Sequence, residues 1–554
     1  MPERIFVAVA WPYANGSLHM GHIAGAYLAP DIFARYHRAV GNHVLMVSGT
    51  DQHGTPITVR ADQEGRSPQD VVNQFHPEFL TYWDRLGISF DLYTSTGTAN
   101  HAETVHDIFL TLYERGHIYK GTMSLPYCHV DKRFLPDRYL IGICPVCGYN
   151  EARGDQCDNC GSTLNAVDLI EPRCRLCGTP PEFLETEHFF LRLSAFNEAL
   201  KEWASRQTHW RRPVLAWTLG MLNEGLQDRA ITRDIDWGVT IPLPGYESKR
   251  IYVWFEAVIG YLSAAKEWAQ RQGQPDAWEP FWKDPAARSY YFVGKDNIPF
   301  HTIIWPAMLM GYGGLNLPYD VPANQYVTFG GMKASKSRGW APWVPEFLDR
   351  YDPDPLRYYL SVVMPETSDT EFSLADFYRR NNDELVATWG NLVNRVLSFT
   401  VRNFQGRVPD PGELDGRSKD LLRRIEPTLT DVGGHIAACR FRAGIAAAMG
   451  LAQEANRYLD EQAPWKTIQE DRAAAARTVY TAVQVINNLK TALYPYLPFT
   501  TNRLHGYLGW DGTVQDQGWR VTRVEPGTAL RQPEPLYKKL DPGALEEEEA
   551  RLSS

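Results

Sequence analysis

The spacing of apolar and polar positions follows three different rhythms along the chain, and the changes between them mark its organisation. Near the start, Ile5-Phe-Val-Ala-Val-Ala10 is a short continuous apolar run that stops at Trp11-Pro12-Tyr13-Ala14-Asn15-Gly16. A run of that length bounded by a turn signal predicts a strand buried on both faces, as in a parallel sheet. A helix is expected to begin near His19. Val44 to Ser48 is a second such run, ending in Gly49-Thr50-Asp51-Gln52-His53-Gly54. Strand, helix, strand opens an α/β sheet, whose ligands sit beyond the carboxyl ends of the strands. Tyr13, His19, His22 and Asp51 are thereby expected around one crevice.

From about residue 116 to 230 the rhythm breaks into cysteine pairs, glycines and short connections, followed by Trp-rich helical sequence between Ser194 and Gly225. This reads as an insertion. Strand-like apolar runs resume at Ile251 to Phe255 and at Tyr290 to Val293, the second ending in Gly294-Lys295-Asp296-Asn297, so the sheet is expected to be completed there. Beyond about residue 385 helical spacing takes over: Phe441, Ile445 and Met449, then Val479, Val483, Ile486 and Leu493, recur at three, four or seven residues. The C-terminal third is predicted to be a helix bundle, and the run Glu546 to Glu549 a solvated terminal helix end.

Composition narrows the function classes. At 554 residues the chain exceeds one hydrophobic core. With 56 Lys and Arg against 66 Asp and Glu, the net charge of −10 argues against a general polyanion binder, so any nucleic acid is held by local patches. The apolar run at the start is too short for a secretory signal. Asn297 to Tyr319 lacks Asp, Glu, Lys and Arg over 23 residues, but its prolines, glycines and His301 fit buried interior better than a membrane span. Seven of the eight cysteines lie between Cys128 and Cys177, six of them as CxxC pairs, which suits metal in a cytoplasmic protein better than disulfides. Cys144, Cys147, Cys157 and Cys160 form a CxxC-x9-CxxC unit, two knuckles able to close one tetrahedral zinc site. Cys439, in the helical region, reads as a buried small apolar residue.

Two motifs carry phosphate chemistry. His19-Met20-Gly21-His22 sits where the first strand hands over to a helix, so its imidazoles can donate to phosphate oxygens, and Gly21 lets a flat base approach the backbone. Taken alone it reads as two ordinary helix histidines. Lys333-Ala334-Ser335-Lys336-Ser337, between Gly330-Gly331 and Gly339, puts two flexible cations on a glycine-hinged loop that can close over a triphosphate. Together the motifs resemble the HIGH and KMSKS signatures of class I aminoacyl-tRNA synthetases, in the same order. Ala334 takes the methionine place of the second. Within that class the chain resembles the methionyl-tRNA synthetase family almost end to end. The likeness runs through Ala10 to Ser17, Gly49 to Pro56, Tyr252 to Tyr261, Gly294 to Asn297 with His301, Asn391 to Arg395 and Gln462 to Trp465.

The resemblance implies a Rossmann-type nucleotide-binding catalytic domain of α/β class, split into residues 1–115 and 231–325 around an inserted zinc-knuckle domain at 116–230. A linking segment with the KASKS loop follows at 326–384, and an all-α anticodon-binding helix bundle at 385–554. It implies ATP-dependent activation of L-methionine and its transfer to tRNA(Met), with His19, His22, Lys333 and Lys336 catalytic and Mg²⁺ accompanying ATP. Asp51 would hold the α-amino group. Ala10, Trp11, Tyr13, Trp254, Ala257, Val258 and Tyr261 would shape the methionine slot, with His301 near the thioether. Gly21, Gly294, Asp296 and Lys336 would join the histidines around ATP. A second zinc site would use Cys174 and Cys177 with Cys128 and either Asp131 or His129, and Asn391, Arg395 and Trp465 would read the anticodon. A monomer without membrane attachment is expected. The rivals are another class I synthetase, for isoleucine, valine, leucine or cysteine, and a non-catalytic zinc-ribbon nucleic-acid binder.

Overall fold

The computed structural model describes residues 2–553 except 155, 158, 161, 163, 165, 330–331 and 334–341. Its centre is a parallel sheet in the order Arg288–Phe292, Arg4–Val9, His43–Thr50, Leu92–Ser95, with Val7 registered against Tyr290 on one side and Met46 on the other. Every residue from Ile5 to Val9 is fully buried, as a continuous apolar run requires in a sheet covered on both faces. Alternation along that strand separates two cores. Ile5, Val7 and Val9 pack with the helices Leu28–Val40 and Pro68–Leu86, whereas Phe6 and Ala8 pack with Ala99–Glu114 and Gly260–Arg271.

Between the third and fourth strands in chain order, a long antiparallel pair, Ile118–Cys128 with Glu182–Leu191, carries the cysteine-rich segment at its far end, registered from Ile118 against Leu191 to Tyr127 against Glu182. The knuckles surround a small sheet of Leu140–Ile143, Ala152–Arg153 and Ile170–Cys174 with its own small core. The helices Asn197–Ser205 and Arg212–Glu224 return the chain to the catalytic sheet.

The Ile251–Phe255 expectation is corrected: only Arg250–Ile251 is extended, and Val253–Glu256 forms a helical turn that continues through Ala257–Ile259 into Gly260–Arg271. A short apolar run fits a buried strand and a buried helix equally well, and here tertiary packing decides. The Asn297–Tyr319 stretch is largely buried through its π-helical turn Phe300–Ile304 and the helix Trp305–Tyr312, and reaches the surface at Gly314. No helix among the described residues is long and apolar enough to cross a membrane.

The C-terminal region is a bundle built on Asn391–Asn403, Ile425–Ala437, Phe441–Gln462 and Arg472–Leu493. All seven of the apolar positions picked out by spacing, Phe441, Ile445, Met449, Val479, Val483, Ile486 and Leu493, are buried. The terminal helix Leu545–Ser553 is not wholly solvated as expected: Glu546 and Glu547 are exposed, but Glu548 pairs with Arg350 and docks the helix on the linking segment.

Candidate active site

The strands Arg4–Val9 and His43–Thr50 end side by side, and the chain beyond them stays paired. Asp51 N–H donates to the Pro12 carbonyl at 2.9 Å and Ala14 N–H to the Asp51 carbonyl at 3.2 Å, a bridge that sets Tyr13 beside Asp51. Two motif glycines are seats for rings. A Cβ on Gly49 would fall 2.4 Å from Trp11, and one on Gly54 would fall 2.1 Å from Tyr13. Ala10 joins the opposite strand through its N–H to the Phe292 carbonyl at 3.0 Å.

These rings meet those of the helical segment after Tyr252. Tyr13 stands edge-on to Trp254 at 6.3 Å and Trp11 edge-on to Tyr261 at 6.4 Å, while Trp254 stacks on Phe300 at 4.1 Å. Ala257 and the buried Val258 lie in the turn between Trp254 and Tyr261. Tyr261 Oη lies 2.8 Å from His301 Nε2, and His301 Nδ1 lies 2.8 Å from the Asn297 carbonyl. A carbonyl only accepts, so Nδ1 carries the proton and Nε2 accepts from the Tyr261 hydroxyl. Burial holds the His301 imidazole down at about 4, hence neutral. The result is an aromatic pocket whose polar end is internally satisfied, suited to a soft, uncharged side chain.

Asp51 is 3% exposed, and burial followed by the nearby Glu256 charge pushes its carboxyl up to about 8. Glu256 is fully buried between His53 Nδ1 at 2.8 Å and His101 Nε2 at 3.1 Å. Burial opposes its charge, but the two imidazoles outweigh burial and hold the carboxyl at about 2. Sequence reasoning passed over Glu256, His53, His101 and Phe300. One signal was available: Glu256 is the sole charged residue between Ile251 and Leu262.

His19 caps the turn Met20–His22, with its N–H donating to His22 Nδ1 at 3.2 Å and the two rings 3.7 Å apart. A Cβ on Gly21 would meet the His19 ring at 3.0 Å, so this glycine serves the histidine as well as any ligand. The chain after residue 341 runs against the motif: Met20 N–H donates to the Pro342 carbonyl and Val344 N–H to the Leu18 carbonyl, each at 2.9 Å. Lys333 pairs its backbone with Thr328 in a hairpin. Its side chain and Ala334 to Ser337, Lys336 included, lie outside the described residues. At the end of the strand Arg288–Phe292, Gly294 bridges to Asn324 and Asp296 accepts from the Tyr326 hydroxyl.

Two groups of metal-ligating side chains lie in the insertion. Ligand atoms of Cys144, Cys147, Cys157 and Cys160 lie within 4.8 Å of one another, as do those of Cys128, Asp131, Cys174 and Cys177. Thiolate-rich sets of four at this spacing fit tetrahedral zinc. Asp131 Oδ2 is 3.2 Å from Cys128 Sγ and 3.0 Å from Cys174 Sγ, whereas His129 is exposed and pairs with Glu182. The geometry favours Asp131 over His129. In the bundle, Asn391 and Arg395 share one face of their helix. The Arg395 guanidinium lies 4.5 Å over the Trp465 ring and 2.9 Å from Asp460, and Trp465 is 40% exposed.

The family model described as "tRNA synthetases class I (M)" matches residues 5–397, and "Anticodon binding domain of methionyl tRNA ligase" matches 408–554. Methionine–tRNA ligase of Dehalococcoides mccartyi is 59% identical over 552 residues, covering 100% of both chains. That of Thermomicrobium roseum is 54% identical over 579 residues, covering 100% of this chain and 99% of its own. The crystal structure of Mycobacterium tuberculosis methionyl-tRNA synthetase bound by methionyl-adenylate aligns with a TM-score of 0.80 at 26% identity, covering 97% of this chain and 100% of that one.

Proposed function

Because this chain belongs to the class I methionyl-tRNA synthetase family, we propose a division of labour among its residues in methionine–tRNA ligation. The chain activates L-methionine with ATP to methionyl adenylate and transfers the methionyl group to the 3′ end of tRNA(Met), for protein biosynthesis. In the first step the methionine carboxylate attacks the α-phosphorus of ATP and pyrophosphate leaves. In the second a hydroxyl of the terminal ribose attacks the adenylate carbonyl and AMP leaves.

The observation that carries the amino-acid assignment is the Tyr261–His301 hydrogen bond of 2.8 Å within a pocket of aromatic rings that also holds the Asp51 carboxylate. Asp51 takes the substrate ammonium, and Ala10, Trp11, Tyr13, Trp254, Ala257, Val258 and Tyr261 enclose the side chain, with His301 at the thioether end. His19 and His22 donate to the ATP phosphates beside the open turn at Gly21. Lys333 and Lys336 meet the charge that builds up as pyrophosphate departs. Gly294 and Asp296 hold the adenosine. Mg²⁺ accompanies ATP and neutralises phosphate charge.

Each cysteine-rich group holds one zinc ion in a structural role, the second through Asp131. Asn391, Arg395 and Trp465 read the anticodon: an amide, a guanidinium and a flat platform suit unstacked bases. The functional units follow the limits 1–115, 116–230, 231–325, 326–384 and 385–554, and the enzyme works as a cytoplasmic monomer. ATP–pyrophosphate exchange measured across the amino acids tests the reading. Methionine supports the fastest exchange, and faster exchange with isoleucine or cysteine overturns it.

A further inference from the structure

Two buried carboxylates share one histidine in the methionine pocket. The His53 backbone N–H donates to Asp51 Oδ1 at 3.1 Å, and its ring Nδ1 lies 2.8 Å from Glu256 Oε1. The second oxygen of Glu256 lies 3.1 Å from His101 Nε2, whose Nδ1 reaches Ser263 Oγ at 2.9 Å. Among the described residues, no Lys or Arg forms an ion pair with either carboxylate. Glu256 therefore has two imidazole partners, while the Asp51 carboxyl receives one backbone N–H. A buried anion without a counter-cation is costly, and such a group keeps its proton until a cation arrives.

We propose that Glu256 is a positioning residue for methionine recognition: fixed between His53 and His101, it makes Asp51 exchange its carboxyl proton for the ammonium of the entering substrate. This rests on the reading that Asp51 takes the α-amino group. The titratable groups facing the pair are His53 on the same loop, His101 on the helix Ala99–Glu114 and Tyr261 on the helix Gly260–Arg271, whose phenol burial holds well above its ordinary range. Burial and the Glu256 charge raise the Asp51 carboxyl, and the smaller influence of His53 does not cancel them. The balance is simple. The substrate ammonium keeps its three protons, the Asp51 proton passes to solvent, and no other bond changes. An empty pocket then holds no unpaired charge, and a carboxylic acid without an amino group gains nothing from Asp51.

Calorimetry of binding at pH 7, in buffers of different ionisation enthalpy, reads the exchange. Methionine should release about one proton per molecule bound, the value expected for a carboxyl near pH 8 that becomes ionised. The ammonium-free analogue 4-(methylthio)butanoate should release none. Glu256→Gln should lower the release, because Asp51 then loses the neighbouring charge that adds to burial in holding its proton, while Glu256→Asp should restore it. A side chain that merely supports the pocket changes affinity without changing the proton count. Equal release by the unaltered protein and Glu256→Gln overturns the proposal, as does absence of release from the unaltered protein, which decides the matter even if Glu256→Gln does not fold. Asp51→Asn separates the two readings. If it binds methionine normally, the ammonium assignment fails. If it loses methionine while the unaltered protein releases no proton, only the exchange fails.

Discussion

The imidazole of His19 stands edge-on to the ring of Phe329, with 6.0 Å between centroids and 76° between planes. Phe329 closes the strand Val327–Phe329, which leads directly into the lysine motif, and Trp343 on the far side of that motif lies 6.2 Å from the same imidazole. Residues at both ends of the second signature thus rest on the first histidine of the first. Two sequences some 310 residues apart have their flanks brought together because the sheet sets the end of its first strand against the segment that follows its last.

The first prediction concerns the chemical step. Lys336→Ala should lower methionine-dependent pyrophosphate exchange by roughly two to three orders of magnitude, the scale for removing one preorganised charge donor from a transition state. Methionine binding should stay within about twofold, since the Asp51 and Tyr261 contacts are made by His53 and His301. Normal exchange by Lys336→Ala would give the loop another role.

How much of this was legible depends on what kind of signal each residue leaves. Tyr13 and Asp51 could be placed together because each follows an uninterrupted apolar run, and such runs in one sheet end at one edge. Ile251–Phe255 reads as strand in sequence although Val253–Glu256 is a helical turn, because so short an apolar run carries no period long enough to separate helix from strand. His301 sits in a π-helical turn, as do the residues just after His22 and just before Asn391. Such turns often mark functional sites, yet they arise from tertiary packing and leave no periodic trace. The Glu256–His53–His101 cluster joins segments far apart in sequence, so only the fold reveals it.

Metal content supplies the second prediction. The two ligand groups share no residue, so Cys174→Ala should lower the zinc content from two ions per chain to one and leave Cys144, Cys147, Cys157 and Cys160 filled. Metal analysis that finds two ions in Cys174→Ala would eliminate the site built on Asp131.

A third prediction follows from the buried contact between the catalytic and helical regions. Asp31 is fully buried, pairs with Arg35 at 2.9 Å and with Arg357 at 2.7 Å, and accepts from Ser89. Arg357 also donates to the Leu86, Pro495 and Tyr496 carbonyls, so it ties three segments together. Burial disfavours the Asp31 charge, but the two guanidinium groups outweigh it and hold the carboxyl far below the ordinary carboxylate range. Its folded value is below its unfolded value, so the stabilisation is present above about pH 4 and is lost as pH falls through the folded value. Asp31→Asn should cost about 3–5 kcal/mol at pH 7 by leaving buried guanidinium charge uncompensated. The gap in thermal midpoint between the two proteins should narrow from pH 5 to pH 3. A gap that stays constant would show that Asp31 contributes through packing alone.

The last prediction concerns tRNA selection, where a net charge of −10 leaves recognition to a few local contacts. Trp465 is 40% exposed, with one face taken by the Arg395 guanidinium at 4.5 Å, so the ring is held in place rather than buried as core. Asn391 opens the helix on which Arg395 lies one turn later, so an amide shares the helix face from which the guanidinium reaches that platform. Stacking of a base on an aromatic ring is worth about 1–3 kcal/mol, so Trp465→Ala should weaken aminoacylation of tRNA(Met) by roughly 5- to 150-fold. Pyrophosphate exchange should be nearly unaffected, because no methionine-pocket residue touches Trp465 among the described contacts. A change at an anticodon base should cost the unaltered enzyme more than it costs Trp465→Ala, whose platform is already gone. Equal loss in both half-reactions would instead make Trp465 a support of the bundle, and the anticodon assignment would fall with it.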